Sequence, residues 1–466
     1  MDRRKKVLVI GLDCAPPELV FEQWLADLPN LARLMNHGVW GRLESCIPPI
    51  TVPAWSSMMA SKDPGVLGCY GFRNRVDYSY GRYKLANATD IKADRVWDLL
   101  SRAGKKVITI GVPQTYPPSE VNGIQVGCFL SPSTTNPHRP YTYPSGLMQE
   151  IEQIVGNYLV DVPEFRTADK SYLLDQIYLM TERRLALVRR WLVEKEWDFF
   201  MFVEMGTDRI HHGFWSYYDQ THPRHEAHPL YRDAIHDYYC YLDAAIGQIL
   251  ALLDDDTTVC VVSDHGAKPM LGGICINEWL MREGYLVLKA LPEKLTPIDQ
   301  CEIDWKRTRA WSDGGYYARI FLNVLGREPQ GQVPPSEVDA LCVELQQKLE
   351  NLTDPAGVPL GTRIFRPGEV YRACNGVPPD LIAYLGDLSW RSVGSLGYNS
   401  IYTFENDTGP DECNHASHGI VIKHDPDQVE SEGGREVSGL QLMDIAPMLL
   451  QQFSLPVPSD MQGRPF

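Results

Sequence analysis

The sequence has no C-x-x-C pair. Its 11 cysteines are odd in number and scattered through 466 residues. Several, such as Cys260 and Cys275, stand in apolar runs, where a thiol behaves as a small hydrophobe. This argues against a cysteine metal site and a disulfide framework, and it matches free thiols in a reducing compartment. No apolar run approaches the roughly 20 residues that a membrane-spanning helix needs. The basic start, MDRRKK, resembles the first part of a signal peptide. The apolar run behind it is short, however, and ends at Asp13 without a small-residue cleavage site. Positive charge is not in excess, since the net charge is -16. The expectation is a cytoplasmic protein that binds neither a nucleic-acid polymer nor a membrane. An acidic chain can still take a phosphorylated substrate, because metal ions reverse the local sign of a site. The turn GLDCAP after the first apolar run lacks G-x-G-x-x-G, so a dinucleotide site is not supported. There is no internal repeat.

What the chain does contain is ordinary for a globular protein: 44% hydrophobic and 22% charged residues. Its length suits one large α/β domain with insertions, or two domains. The organising stretch is TTVCVVSDHG, residues 257–266. A short, continuous, β-branched run reads as a strand buried on both faces, as in a mostly parallel sheet. Similar runs are KVLVIG at 6–11, VITIGVP at 107–113 and DFFMFVE at 198–204. Between them lie helical patterns at 96–103, 171–195 and 230–253. A helix is expected to begin at Ala54, after a bend set by Pro48, Pro49 and Pro53. Residues 114–167 are rich in Pro, Ser and Thr and read as an insertion over one sheet edge. Residues 283–408 read as a second insertion. The oligomeric state is not legible.

In open α/β sheets the chemistry lies beyond the carboxyl ends of the strands. Asp13 stands past the first strand. Asp208 and His212, four residues apart in GTDRIHH, fall on one face of a helical turn, while His211 points elsewhere. Asp264 and His265 follow the strand of the organising stretch. His415 and His418 precede an apolar strand opened by Gly419. Carboxylates and imidazoles together suit Zn²⁺ or Mn²⁺. Each acidic residue alone reads equally well as a cap or turn residue. Thr51, on the proline-kinked approach to a helix, is a hydroxyl at a phosphate-favouring N-terminus. Ser56 and Ser57 are its rivals. His222, His225 and His228 form a cluster whose spacing matches no closed metal site. Aromatic stretches at Trp55, 70–72 and 214–218 read as packing or as a stacking surface for a planar group.

Taken in order, VLVIGLD, PPITVPAWSSMMASKDPG, GTDRIHH, VVSDHG, HASHGIVI and the closing DIAPMLLQQFSLPVPSDMQGRP resemble the alkaline phosphatase superfamily. In particular they resemble the type I phosphodiesterase/nucleotide pyrophosphatase family, over nearly the whole chain. The resemblance implies a three-layer α/β/α sandwich with a mostly parallel central sheet and inserted cap segments. It implies two divalent metal ions, foremost Zn²⁺ with Mn²⁺ as the alternative. Asp208, His212 and His415 would hold one ion, and Asp13, Thr51, Asp264 and His265 the other. His415 is chosen over His418 because the family's ligand stands four residues before the strand-opening Gly. Thr51 would be the nucleophile, forming a covalent phospho-threonine on a small phosphorylated substrate, a phosphodiester or nucleotide pyrophosphate. The family's Asn soon after the nucleophile is replaced here by Ala54 and Trp55, with Asn74 unassigned. The sulfatase C-x-P-x-R motif is absent. The alternatives are a phosphomonoesterase or phosphonate hydrolase, with Arg42, Arg73 or Lys268 meeting the extra charge, and a non-catalytic metal-binding protein.

Overall fold

Fully apolar strands need cover on both faces, and here they lie side by side. The computed structural model describes residues 5–430 and 433–466. Val7–Leu12, Phe199–Glu204, Thr258–Val262 and Val107–Ile110 are buried along their whole length. With Gly123–Val126 they form the parallel centre of a 10-stranded sheet. Val7–Leu12 is central, between Thr258–Val262 and Phe199–Glu204. On the far side of Thr258–Val262, His418–His424 runs antiparallel and pairs onward with Val39–Glu44. Helices Lys170–Glu194, Gly206–Tyr218, Ala234–Leu250 and Ile445–Gln452 pack their apolar faces into the same core. The result is the mixed α/β architecture expected from the strand runs, with a mostly parallel central sheet.

Three boundaries differ from expectation. The helix expected from Ala54 spans Thr51–Ala60. Pro53 is accommodated because a first-turn residue needs no intrahelical N–H bond. Residues 114–167 do more than lie over an edge. Gly123–Val126 pairs in parallel with Val107–Ile110, and Thr142–Tyr143 closes that side. Strands of four and two residues are too short to show a period. Within 283–408 the chain builds a separate apolar core around Trp311, Phe321, Leu345 and Leu385. A four-stranded antiparallel sheet supports it, in the order Ala310–Asp313, Ala318–Leu322, Leu381–Tyr384, Arg363–Phe365. Among the described residues, no helix is long and apolar enough to cross a membrane.

Candidate active site

Three neighbouring parallel strands end at one place. Val7–Leu12 delivers Asp13, Thr258–Val262 delivers Asp264 and His265, and Phe199–Glu204 leads into Gly206–Tyr218 with Asp208 and His212. A fourth contribution comes from a two-stranded ribbon, Gly266–Pro269 against Cys413–Ala416, which sets His415 opposite Ala267. Helix Thr51–Ala60 presents Thr51 at its first turn.

These side chains gather into two adjoining groups. Asp208, His212 and His415 offer ligand atoms within 4.8 Å of one another, as do Asp13, Asp264 and His265. The rings of His265 and His415 stack at 3.9 Å and join the groups. Thr51 Oγ1 lies 3.4 Å from His265 Nε2.

Each member is held by the fold at one atom. Asp13 Oδ2 accepts a 2.7 Å hydrogen bond from Trp55 Nε1. Asp264 Oδ1 accepts from the Cys14 N–H at 3.2 Å. Asp208 Oδ2 pairs with Arg209, which is itself clamped by Asp161 at 2.8 Å. His415 Nδ1 meets the carbonyl of Pro49 at 2.8 Å, and His265 Nδ1 that of Gly266 at 3.1 Å. A carbonyl can only accept, so each Nδ1 carries the proton and each Nε2 keeps its lone pair. His212 Nδ1 is held by Asp411 Oδ1 at 2.6 Å. The other atoms, Asp13 Oδ1, Asp208 Oδ1, Asp264 Oδ2 and His415 Nε2, are buried without a hydrogen-bond partner. Leaving such groups unpaired costs about 1–3 kcal/mol each, more when charged. Four of them converging on one place is the arrangement that a cation satisfies, and the donor set suits Zn²⁺ or Mn²⁺.

The electrostatics point the same way. Burial, then the neighbouring Asp208 carboxylate, pushes Asp13 well above the usual carboxylate range. Burial and Asp13 do the same to Asp264. Asp208 resists burial and stays well below that range, because the His212 and Arg209 charges face it. Burial lowers His415 to about 4 and drives His265 well below its ordinary value. His212 is raised well above its ordinary value, since Asp411 outweighs burial. Asp13 and Asp264, buried without enough positive charge facing them, are poised for cations.

A cavity of 720 Å³ opens over this site. Thr51, Asp208, His212 and His415 line it together with Tyr316, Trp311 and Arg391, from the separate core region, and with Phe165 and Arg166.

Several candidates fall elsewhere. His418 is exposed on the strand after His415 and lies outside both groups. Ser56 donates to the Val52 carbonyl at 2.7 Å, and Ser57 is buried in the helix outside the cavity. His222 meets the Glu412 carbonyl at 3.1 Å, His225 the Ser216 carbonyl at 2.8 Å, and His228 stacks on Tyr231 at 4.3 Å. The three histidines brace the chain separately and do not form a metal cluster. Of the aromatic stretches, Trp55, Tyr70, Phe214, Trp215 and Tyr217 are buried packing, and Phe72 lines the cavity. Asn74 accepts from the Tyr70 N–H at 2.8 Å and donates to the Gly71 carbonyl at 2.9 Å, so it shapes a loop. Arg42 is spent on Glu18 and Glu22, and Lys268 on Asp387. Arg73 lines the cavity. Sequence reasoning missed Trp55 as the holder of Asp13, and Asp411, Arg209, Arg166 and Arg391. These act through partners far away along the chain, as Asp411 does on His212 and Arg166 on Asp411, which no local spacing reveals.

Similar architectures occur in known proteins. An inactive form of murine ectonucleotide pyrophosphatase/phosphodiesterase 5 in complex with AMP aligns with a TM-score of 0.56. Its identity is 14%, and the alignment covers 97% of this chain and 96% of that one. Phosphonoacetate hydrolase from Sinorhizobium meliloti 1021 in complex with phosphonoacetate aligns with a TM-score of 0.60 and 15% identity, covering 95% and 94%. No curated protein sequence matches the chain. The fold is that of the alkaline phosphatase-like enzymes. More narrowly, residues 7–419 match the type I phosphodiesterase / nucleotide pyrophosphatase family. The chain belongs to that family of phosphoryl-bond hydrolases.

Proposed function

We propose that the protein hydrolyses phosphodiester bonds, including nucleotide pyrophosphate bonds, with two divalent cations and Thr51 as nucleophile. The observation that carries this reading is the pair of adjoining triads, four of whose inward atoms are buried without a hydrogen-bond partner, with Thr51 against His265 of one of them. Asp208, His212 and His415 would hold one ion, and Asp13, Asp264, His265 and Thr51 the other. Zn²⁺, with Mn²⁺ as the alternative, would there neutralise the charge on the phosphoryl group and on the attacking and leaving oxygens.

The chain's own groups do the rest. His265 and His415 are oriented by carbonyls at Nδ1, so their rings are fixed before substrate arrives. Thr51 Oγ1 attacks phosphorus. The Thr51–phosphorus bond forms as the bond to the leaving oxygen breaks, and the alcohol of a diester, or the phosphate of a pyrophosphate, departs with the proton that Thr51 gives up. Water then displaces Thr51 from phosphorus, supplying one proton to restore the hydroxyl and leaving the phosphate monoester. The N–H groups of Thr51 and Val52 begin a helix and have no intrahelical partner, so they are available to the equatorial oxygens.

The substrate is a small phosphorylated molecule, since the cavity of 720 Å³ suits one of that size. The complexes of the similar structures with AMP and with phosphonoacetate support that class. The domain is read as a single catalytic unit in which 283–408 caps the site. The 11 free cysteines support the cytoplasmic reading.

The test compares bis(p-nitrophenyl) phosphate with p-nitrophenyl phosphate, with Zn²⁺ or Mn²⁺ present, beside Thr51→Ala. The diester is expected to be cleaved faster. The variant should lose about 10³-fold or more in kcat/KM while still binding metal. A faster monoester would move the function to a phosphatase, and cleavage of phosphonoacetate alone to a phosphonate hydrolase. An undiminished variant would remove Thr51 from the reaction.

A further inference from the structure

Two arginines border the cavity with unmet hydrogen-bonding capacity. Arg391 is 3% exposed, and its Nε is buried without a partner. Its Nη1 donates to Thr408 Oγ1 at 3.2 Å, and its closest carboxylate oxygen, on Asp407, stands at 3.6 Å, beyond hydrogen-bond reach. Asp407 is already engaged at its other oxygen, which accepts from Ser395 at 2.9 Å. Arg166 also has a buried Nε without a partner. Its Nη2 meets Tyr316 OH at 2.9 Å and approaches Asp411 Oδ2 at 3.3 Å. Asp411 is shared further, because it holds His212 and accepts from Tyr316.

Tyr316 fixes where these guanidiniums lie. Each sits 5.9 Å from the Tyr316 ring centroid. That ring lies 4.5 Å from His415 and 5.2 Å from His212. The arginines therefore stand one side chain beyond the Asp208–His212–His415 group. The other arginines of the wall differ: Arg209 is clamped by Asp161 and Asp208, Arg319 by Asp313 at 3.0 Å, and Arg73 is exposed to solvent and lies over the Tyr83 ring at 5.3 Å. The buried Arg391 guanidinium, with no carboxylate in hydrogen-bond reach, is costly without an anion, and Arg166, part-exposed, has only the already shared Asp411 at 3.3 Å. The planar guanidinium fork matches a carboxylate or phosphate.

We propose that Arg391 and Arg166 form an anion subsite that takes a second acidic group of the substrate. The substrate is then a phosphoryl compound with a carboxylate or a further phosphate a few atoms from the reacting phosphorus. This rests on the phosphodiesterase reading for the place of that phosphorus, but its test does not depend on turnover.

The test is calorimetric binding to the Zn²⁺-loaded protein of propylphosphonate, 3-phosphonopropionate and propane-1,3-diphosphonate. At least one of the two-anion ligands is expected to bind about tenfold tighter than propylphosphonate, about 1.4 kcal/mol. Arg391→Met should bring that ratio close to one. Arg166→Met serves as the second variant, and both are checked for an unchanged melting profile. The tighter of the two ligands shows whether the subsite prefers carboxylate or phosphate. Equal binding of all three by the unaltered protein, or a ratio preserved in both folded variants, would overturn the subsite. If no diester is hydrolysed yet the ratio behaves as described, the proposed reaction fails and the subsite stands.

Discussion

At the scale of the residue, the site works by division of labour within each side chain. One atom of each proposed ligand is anchored by the fold, and in Asp13, Asp208, Asp264 and His415 the other is buried without a hydrogen-bond partner. Asp411 shows what this anchoring is for. Its carboxylate holds His212 Nδ1 at 2.6 Å while accepting from Tyr316, so one buried anion ties a proposed ligand to a second residue of the cavity wall. Burial opposes its charge, yet the His212 charge, with Arg166, keeps it at about 2. Asp411→Asn keeps the shape and removes the charge. Outer partners of ligating histidines are worth about 10–100-fold in metal affinity. The expected result, read by chelator competition, is a loss of that size at one of the two ions with the other held as before. Loss of both together with a lowered melting point would make Asp411 a general structural residue.

At the scale of the element, close approach decides what the chain tolerates. Trp55 crosses the first strand because Gly11 has no side chain, and a Cβ there would come 2.6 Å from the indole. The ribbon that carries His415 is as tight. A Cβ on Gly266 would come 2.3 Å from the backbone carbonyl of His418. Gly266→Ala should therefore cost about 1–3 kcal/mol, as overpacking does. Gly368→Ala, where nothing lies within 4 Å, is the control and should cost nothing. Urea unfolding of the two variants checks this, and equal midpoints would contradict the crowding. This scale also shows how far the sequence was legible. The buried strands announced themselves as continuous apolar runs, and the residues just past them were readable because strand ends are where parallel sheets place chemistry. Asp208 and His212 were readable because four residues make a helical turn. Strands as short as Thr142–Tyr143 carry no period. The pairing of His415 with Ala267 depends on a register that local pattern does not encode. His415 was reached through family likeness, and the unmet arginines only through three-dimensional placement.

At the scale of the whole molecule, the fold buries three carboxylates at the end of its central strands, and two of them, Asp13 and Asp264, without enough positive charge facing them. Asp13, Asp208 and Asp264 are each at most 2% exposed. Burial first, and neighbouring carboxylates second, hold Asp13 and Asp264 well above the usual range. A sheet that brings these strands together is therefore working against a site that cations would relieve. Cations that bind only the folded chain stabilise it by mass action, about 2.7 kcal/mol per site when the free ion is a hundredfold above its Kd. Chelator-treated protein is expected to melt at a lower temperature, and Zn²⁺ or Mn²⁺ to restore it, with the shift growing as ion concentration rises. In an Asp13→Asn, Asp264→Asn double variant the charge conflict is relieved and one ion site is dismantled. The chelated melting point should then rise relative to the chelated unaltered protein, and the gain on adding ion should shrink. A melting point indifferent to chelator and ion in both proteins would mean that the converging donors hold no metal, and the reaction built on them would fall with it.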